Sequence, residues 1–148
     1  MLTLRKILVP TDFSPCAAAA LDYAVELATR LDAEILLVHV QPSLAAFISF
    51  PAAVQVPAEW VDSMRKQAQA ELGKEASRVQ RVKVTTELRD GQIHESVLAA
   101  ATALAADLIV MGTHGRRGVS HVLLGSIAER IVRQSTVPVL TVRAPKGR

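Results

Sequence analysis

Apolar and polar positions along this chain switch between two rhythms. Short, almost unbroken apolar runs alternate with stretches where apolar residues return every three or four positions. The first run, Leu4 to Val9, is closed by Pro10-Thr11-Asp12. Ser14-Pro15 then offers an N-cap residue followed by proline at the first helical position. Ala17, Leu21, Ala24, Ala28 and Leu31 recur at helical spacing and predict a helix over 15–31. Glu34 to Val40 reads as the second strand and Pro42 ends it. Residues 41–56 read as an irregular loop whose segment Phe47-Ile48-Ser49-Phe50 is unusually apolar. Packing on its own domain is the expected fate of that loop, with a lid or a partner surface as the alternatives. From Pro57 to about Arg78, Trp60, Met64, Ala68 and Leu72 share one helical face. Val82 to Leu88 alternates like an edge strand, and Asp90-Gly91 makes a turn. Ile93, Val97, Ala101 and Leu104 mark a third helix, and Leu108 to Met111 a fourth strand. Ser126 to Gln134 is helical with Ile127 and Ile131 facing inward, and Val137 to Val142 is the last strand. Pro138 fits there only at an edge or a strand start.

This strict alternation of strand and helix predicts one α/β domain over residues 1–148, a parallel doubly wound sheet with helices on both faces. Such sheets bind ligands beyond the C-terminal ends of their strands, where strand order reverses. With the first and fourth strands as neighbours at that point, Pro10-Thr11-Asp12 and Met111-Gly112 line one crevice.

Composition narrows the function classes. Half of the 148 residues are hydrophobic but only 3% are aromatic, so alanine, valine and leucine must fill the core. The net charge of +3 comes from 17 basic and 14 acidic residues without a long basic run. Together with the scarcity of stacking aromatics, that argues against nucleic acid as a partner. Cys16 is the sole cysteine, which excludes an intramolecular disulfide and points to a reducing compartment. Pro10 breaks the run after Arg5-Lys6, and Asp22 and Glu26 interrupt the alanine-rich stretch 16–28. No secretory signal and no membrane span are expected, and the chain is expected in the cytoplasm.

The candidate chemistry follows the fourth strand. Gly112-Thr113-His114-Gly115, nine further residues, then Gly125-Ser126 place glycines at a strand-to-helix turn. Glycines let backbone N–H groups approach a ligand, and the next helix N-terminus favours negative charge, so phosphate is the expected ligand. Gly115, Gly125, their neighbouring N–H groups and the Ser126 hydroxyl are donors. His114 lies within the loop and within reach of a phosphate. Arg116 and Arg117 either add charge-assisted bonds or are simply solvated. Asp12 would repel phosphates but accept from ribose hydroxyls or an adenine amino group; its alternative role is to cap a turn. His39 is expected to pack at the core or an edge, His94 to sit in the first turn of the third helix, and His121 at the surface. No pair of them has metal-ligand spacing, and no metal site is expected. Cys16 is expected to be a small packed residue. Neither G-x-x-x-x-G-K-[ST] nor G-x-G-x-x-G is present.

Val9-Pro10-Thr11-Asp12, Leu37-Val38-His39-Val40, the Gly112-x2-Gly115-x9-Gly125-Ser126 pattern and Val137-Pro138-Val139-Leu140 together resemble the universal stress protein family, over essentially the whole chain. The glycine spacing is that of its ATP-binding branch. The resemblance implies a Rossmann-like, adenine nucleotide alpha hydrolase-like sheet of order 3-2-1-4-5. It also implies binding of ATP, with or without magnesium, and homodimerisation through strand 137–142. Carried over, Pro10, Thr11 and Asp12 would contact adenosine and Val40 would pack on adenine. Met111 and Gly112 would flank ribose and phosphates, and Gly115, Gly125, Ser126 and Ile127 would hold the phosphates. The expected role is a nucleotide-dependent regulatory module of the stress response that signals to a protein partner. No carboxylate lies between 112 and 126, so efficient phosphate chemistry is not expected. A slow ATPase or self-phosphorylating enzyme, and a nucleotide-free interaction protein, are the alternatives.

Overall fold

The computed structural model describes residues 3–43, 56–114 and 124–144. Its five strands are β1 (Lys6–Pro10), β2 (Glu34–Gln41), β3 (Val84–Asp90), β4 (Leu108–Gly112) and β5 (Val139–Val142). They form one parallel sheet of order β3-β2-β1-β4-β5, as expected. Four helices connect them: α1 (Pro15–Leu31), α2 (Ala58–Arg78), α3 (Ile93–Ala103) and α4 (Ser126–Gln134).

The central strands are apolar on both faces because both faces are covered. Ile7, Val9, Ile35, Leu37, Leu108 and Val110 point to one side, against Ala20, Leu21, Ala24 and Ala28 of α1 and Leu72 of α2. Leu8, Leu36, Val38, Val40, Ile109 and Met111 point to the other, against Val97, Ala100 and Ala101 of α3 and Ala128 and Ile131 of α4. Alanine is the commonest helical residue in both layers, and few aromatics reach the interior. No helix among the described residues is long and apolar enough to cross a membrane.

The strands that the apolar runs predict are all present, and their ends shift by one or two residues. β1 and β3 start two residues later than the hydrophobic runs do, and Leu4 and Val82 pack against the core from just outside them. β5 is an edge, and Pro138 lies before it, lending its carbonyl to the Ile109 N–H at 3.0 Å.

The apolar face of α2 is buried along only part of its length. Ala68 and Leu72 of the α2 stripe are buried, but Trp60 is 67% and Met64 56% exposed. Tethers at the strand ends explain why. Gln41, the last residue of β2, donates through Nε2 to the Met64 carbonyl at 3.0 Å, and Asp90, the last of β3, pairs with Arg65 at 2.6 Å. The first turns of α2 therefore rise above the sheet, where no strand is left to cover them. Residues 44–55, with Phe47 to Phe50, lie outside the described residues.

Candidate functional site

The sheet splits where its strand order reverses. Paired residues of β1 and β4 run only from Ile7↔Leu108 to Leu8↔Ile109. Further on, β1 keeps to β2, through Pro10↔Val38 and a Thr11 N–H donated to the Val38 carbonyl at 2.8 Å. β4 keeps to β5, through Gly112↔Val142 and a Thr113 N–H donated to the Val142 carbonyl at 2.9 Å. Pro10 supplies the local cause. N–H groups along a strand alternate in direction. Since that of Thr11 points to β2, the one that Pro10 lacks would have pointed to β4.

The turn after β1 forms one wall of this split. Ser14 caps α1, its hydroxyl accepting from the Ala17 N–H at 3.2 Å, and Pro15 follows at the first helical position, as the sequence predicts. Asp12 Oδ1 accepts from the Ser14 N–H at 3.0 Å and the Thr11 hydroxyl from the Phe13 N–H at 3.1 Å. These bonds hold Phe13 at φ 63°, a left-handed conformation that costs a non-glycine residue roughly 1 kcal/mol or more. Asp12 thus performs the turn-capping role and is half-buried at the split as well.

Two residues that sequence reasoning did not assign to the site support this turn. His39 is half-buried, and its Nδ1 lies 2.7 Å from the Thr11 carbonyl oxygen. A carbonyl only accepts, so Nδ1 carries the proton. The imidazole also packs against Phe13 with ring centroids 4.5 Å apart. Glu75 of α2 accepts from the Thr11 hydroxyl through Oε2 at 3.4 Å. Partial burial pushes the Glu75 carboxyl above its ordinary value, and the charges of Glu71 and Asp12 add to that; the Thr11 hydroxyl and Arg78 pull the other way. A signal for Glu75 was present, since it follows Leu72 by three positions on the inward stripe of α2.

The other wall is the end of β4. Gly112 sits against the first turn of α1: a Cβ there would stand 2.7 Å from Cys16 Sγ and 3.1 Å from the Cys16 backbone carbon and oxygen. Cys16 is buried, as expected, and its thiol donates to the Val142 carbonyl at 3.6 Å. Met111 and Thr113 are buried, and the Thr113 hydroxyl lies 2.9 Å from His114 Nδ1. The Gly125 N–H donates to the Thr113 carbonyl at 2.7 Å, which brings the start of α4 back to the end of β4. Gly125 is the N-cap of α4 and makes no side-chain cap bond, so no side chain there competes for the first-turn N–H groups. Ser126 is exposed and Ile127 half-buried at this terminus.

Most of the expected site residues are therefore brought to the C-terminal end of the sheet. Pro10, Thr11 and Asp12 lie on one wall, Met111, Gly112 and His114 on the other, and Gly125, Ser126 and Ile127 beside it. Val40 is buried on the α3–α4 face near the end of β2. Gly115 and Arg116, with Arg117 and His121, lie outside the described residues. His94 is buried in the first turn of α3, as expected. Two clefts, of about 280 and 480 Å³, lie away from both walls: one includes Asp32, Glu34 and Lys83, the other Leu21, Val25 and Val79.

Comparison with known proteins agrees with this architecture. Residues 3–143 match the model of the universal stress protein family. The chain is 34% identical to the universal stress protein MJ0531 of Methanocaldococcus jannaschii, over 96% of this chain and 84% of that one. It is 32% identical to the universal stress protein YxiE of Bacillus subtilis, over 94% and 99%. The solved structure of MJ0577, also from M. jannaschii, superposes with a TM-score of 0.83 at 28% identity, covering 98% of this chain and 99% of that one. With the 3-2-1-4-5 sheet that the resemblance implies in place, the chain belongs to the universal stress protein family.

Proposed function

We propose that this chain is an ATP-binding regulatory module of the stress response, acting in the cytoplasm as a single domain. The observation that carries this reading is the pairing of unlike polar groups across the split. The N-terminus of α4, capped by a glycine without a side-chain bond, offers N–H donors beside the end of β4. A carboxylate, Asp12, sits on the opposite wall. Donors at a helix N-terminus suit phosphates, and a carboxylate suits ribose hydroxyls or the adenine amino group. Pro10, Thr11, Asp12 and Val40 form the nucleoside end. Met111, Gly112, His114, Gly115, Arg116, Gly125, Ser126 and Ile127 form the phosphate end, with or without magnesium. In this reading ATP is held as a signal rather than turned over, and its occupancy is passed on to a protein partner.

Calorimetry and thermal denaturation with ATP test it. At ATP tenfold above its dissociation constant, mass action stabilises the fold by about 1.4 kcal/mol. For a chain of this size that raises Tm by about 4 °C. An unchanged Tm and no heat of binding at millimolar ATP would refute the nucleotide reading.

A homodimer through β5 is the second part of the proposal. β5 lies at the sheet edge, with no strand of the described residues on its outer side and its own residues half-buried. Such an edge invites a second strand. Light scattering is expected to give twice the chain mass at micromolar concentration. A monomer there would count against it.

A further inference from the structure

We propose that Glu75 is a positioning residue for the nucleoside end of the site, acting through the hydroxyl of Thr11; this rests on the nucleotide-binding reading above. Every polar function of Thr11 is committed. Its N–H goes to Val38, its carbonyl accepts from His39, and its hydroxyl oxygen accepts from the Phe13 N–H. The one remaining proton, that of the hydroxyl, goes to Glu75 Oε2 at 3.4 Å.

That last bond is the one that reaches outside the turn and its neighbouring strand. A hydroxyl that donates to a carboxylate becomes a better acceptor, because bonds in a chain polarise one another. Its acceptor side is what holds the Phe13 N–H, and so the left-handed residue at φ 63° that follows Asp12. Glu75 therefore tightens the turn that presents Asp12 to the ligand, without touching the ligand itself. It also ties helix α2 to that turn across 64 positions of sequence.

The carboxylate stands there at a cost. Burial first, then the charges of Glu71 on its own helix and Asp12 on the turn, oppose its ionisation, while the Thr11 hydroxyl and Arg78 favour it. On β2, His39 faces the same residue from the other side, bonded to the Thr11 carbonyl. Burial and two like charges thus stand against a carboxylate that still accepts the Thr11 proton. The direction of the linkage follows. A carboxyl whose folded value is raised favours the fold when protonated, and that contribution is lost as pH rises through the folded value. Glu75→Gln should therefore be more stable than the native chain at neutral pH, and the difference should vanish once the pH falls below the ordinary carboxyl value of 4.5. That profile reports the burial of the carboxyl; ligand affinity and amide exchange report its hold on the turn.

The test is a set of ATP titrations by calorimetry at pH 7.5 on the full chain and its variants. Glu75→Ala should weaken ATP about tenfold, as expected for losing a bond to a charged group, and Thr11→Val, which also removes the acceptor of the Phe13 N–H, by at least as much. The double variant should be no weaker than Thr11→Val alone, since one bond cannot be lost twice. Glu75→Gln, whose amide oxygen still accepts from the hydroxyl, should bind within about twofold of the native chain. Amide exchange at Phe13 in the nucleotide-free proteins gives an independent reading: about tenfold faster in Glu75→Ala, unchanged in Glu75→Gln. Native ATP affinity in Glu75→Ala, additive losses in the double variant, or a Gln variant as impaired as Ala would overturn the proposal. If the native chain binds no ATP, the nucleotide reading falls on its own. Phe13 exchange then decides the role of Glu75, and an unchanged rate in Glu75→Ala refutes it.

Discussion

Gly112→Val is expected to destabilise the chain by about 3 kcal/mol, at the upper end of what overpacking a well-filled interior costs. The reason is the closeness of β4 to the first turn of α1. The first atom of any side chain at 112 meets Cys16 Sγ at 2.7 Å and the Cys16 backbone at 3.1 Å. A thiol can swing aside, but this one is held between the Val142 carbonyl and the Thr113 hydroxyl, 3.6 and 4.0 Å away. The backbone of Cys16 has even less room to yield. Ser14 caps its helix, Pro15 precedes it, and Ala17 and Ala20 are buried against the sheet. The strain must therefore lift the start of α1 away from β4 and carry the Asp12 turn with it. Urea unfolding checks this: the midpoint should fall with an unchanged m-value, since the surface exposed on unfolding is the same. Adding Cys16→Ala to Gly112→Ala should recover part of the loss, because it removes the sulfur contact and leaves the backbone contacts. A native midpoint in Gly112→Val would show that β4 slides past α1 without cost.

Gly112 separates what the sequence discloses of the site from what it does not. The glycine spacing marked this position as special, and it is; but the close approach visible in the structure is that of α1, with no ligand needed to explain the missing side chain. Local patterns were legible wherever one element decides its own geometry. Ser14-Pro15 starts a helix by local chemistry alone, and the apolar runs Ile7-Leu8-Val9 and Ile35-Leu36-Leu37-Val38 require cover on both faces, which implies a parallel sheet. What stayed hidden depends on height and direction across elements. Trp60 and Met64 keep the period of Ala68 and Leu72, but period says nothing of where the sheet ends beneath a helix. His39 alternates with Val38 and Val40, which places it on the α1 face without saying that the turn after β1 folds back over it. Glu75 needs both kinds of knowledge, the inward stripe of α2 and the reach of α2 to the end of β1.

Gly125→Val is expected to weaken ATP binding about 100-fold while the chain stays folded. The backbone at 125, φ −67° and ψ 158°, is extended and open to any residue, so conformation alone does not demand glycine. Contact does. A Cβ at 125 would lie 3.0 Å from the Thr113 carbonyl oxygen, the same oxygen that accepts the Gly125 N–H at 2.7 Å. Thr113 cannot retreat easily, because its own N–H is bonded to Val142 at the end of β5. Alanine would need a shift of a few tenths of an ångström; the branches of valine enlarge it, and the start of α4 has to turn away from the end of β4. Ala128 and Ile131, buried against the sheet, anchor the rest of that helix, so far-UV circular dichroism should be unchanged. The N–H groups of Ser126 and Ile127 would then be misaimed. Losing two bonds to a charged phosphate accounts for about 2.8 kcal/mol, or two powers of ten. Adenosine separates this account from general damage. Lacking phosphates, it should bind Gly125→Val nearly as it binds the native chain, whereas a collapsed site would lose both ligands equally. A folded Gly125→Val that binds ATP with native affinity would mean that the α4 N-terminus does not hold the phosphates, and the assignment of the two walls would have to be abandoned.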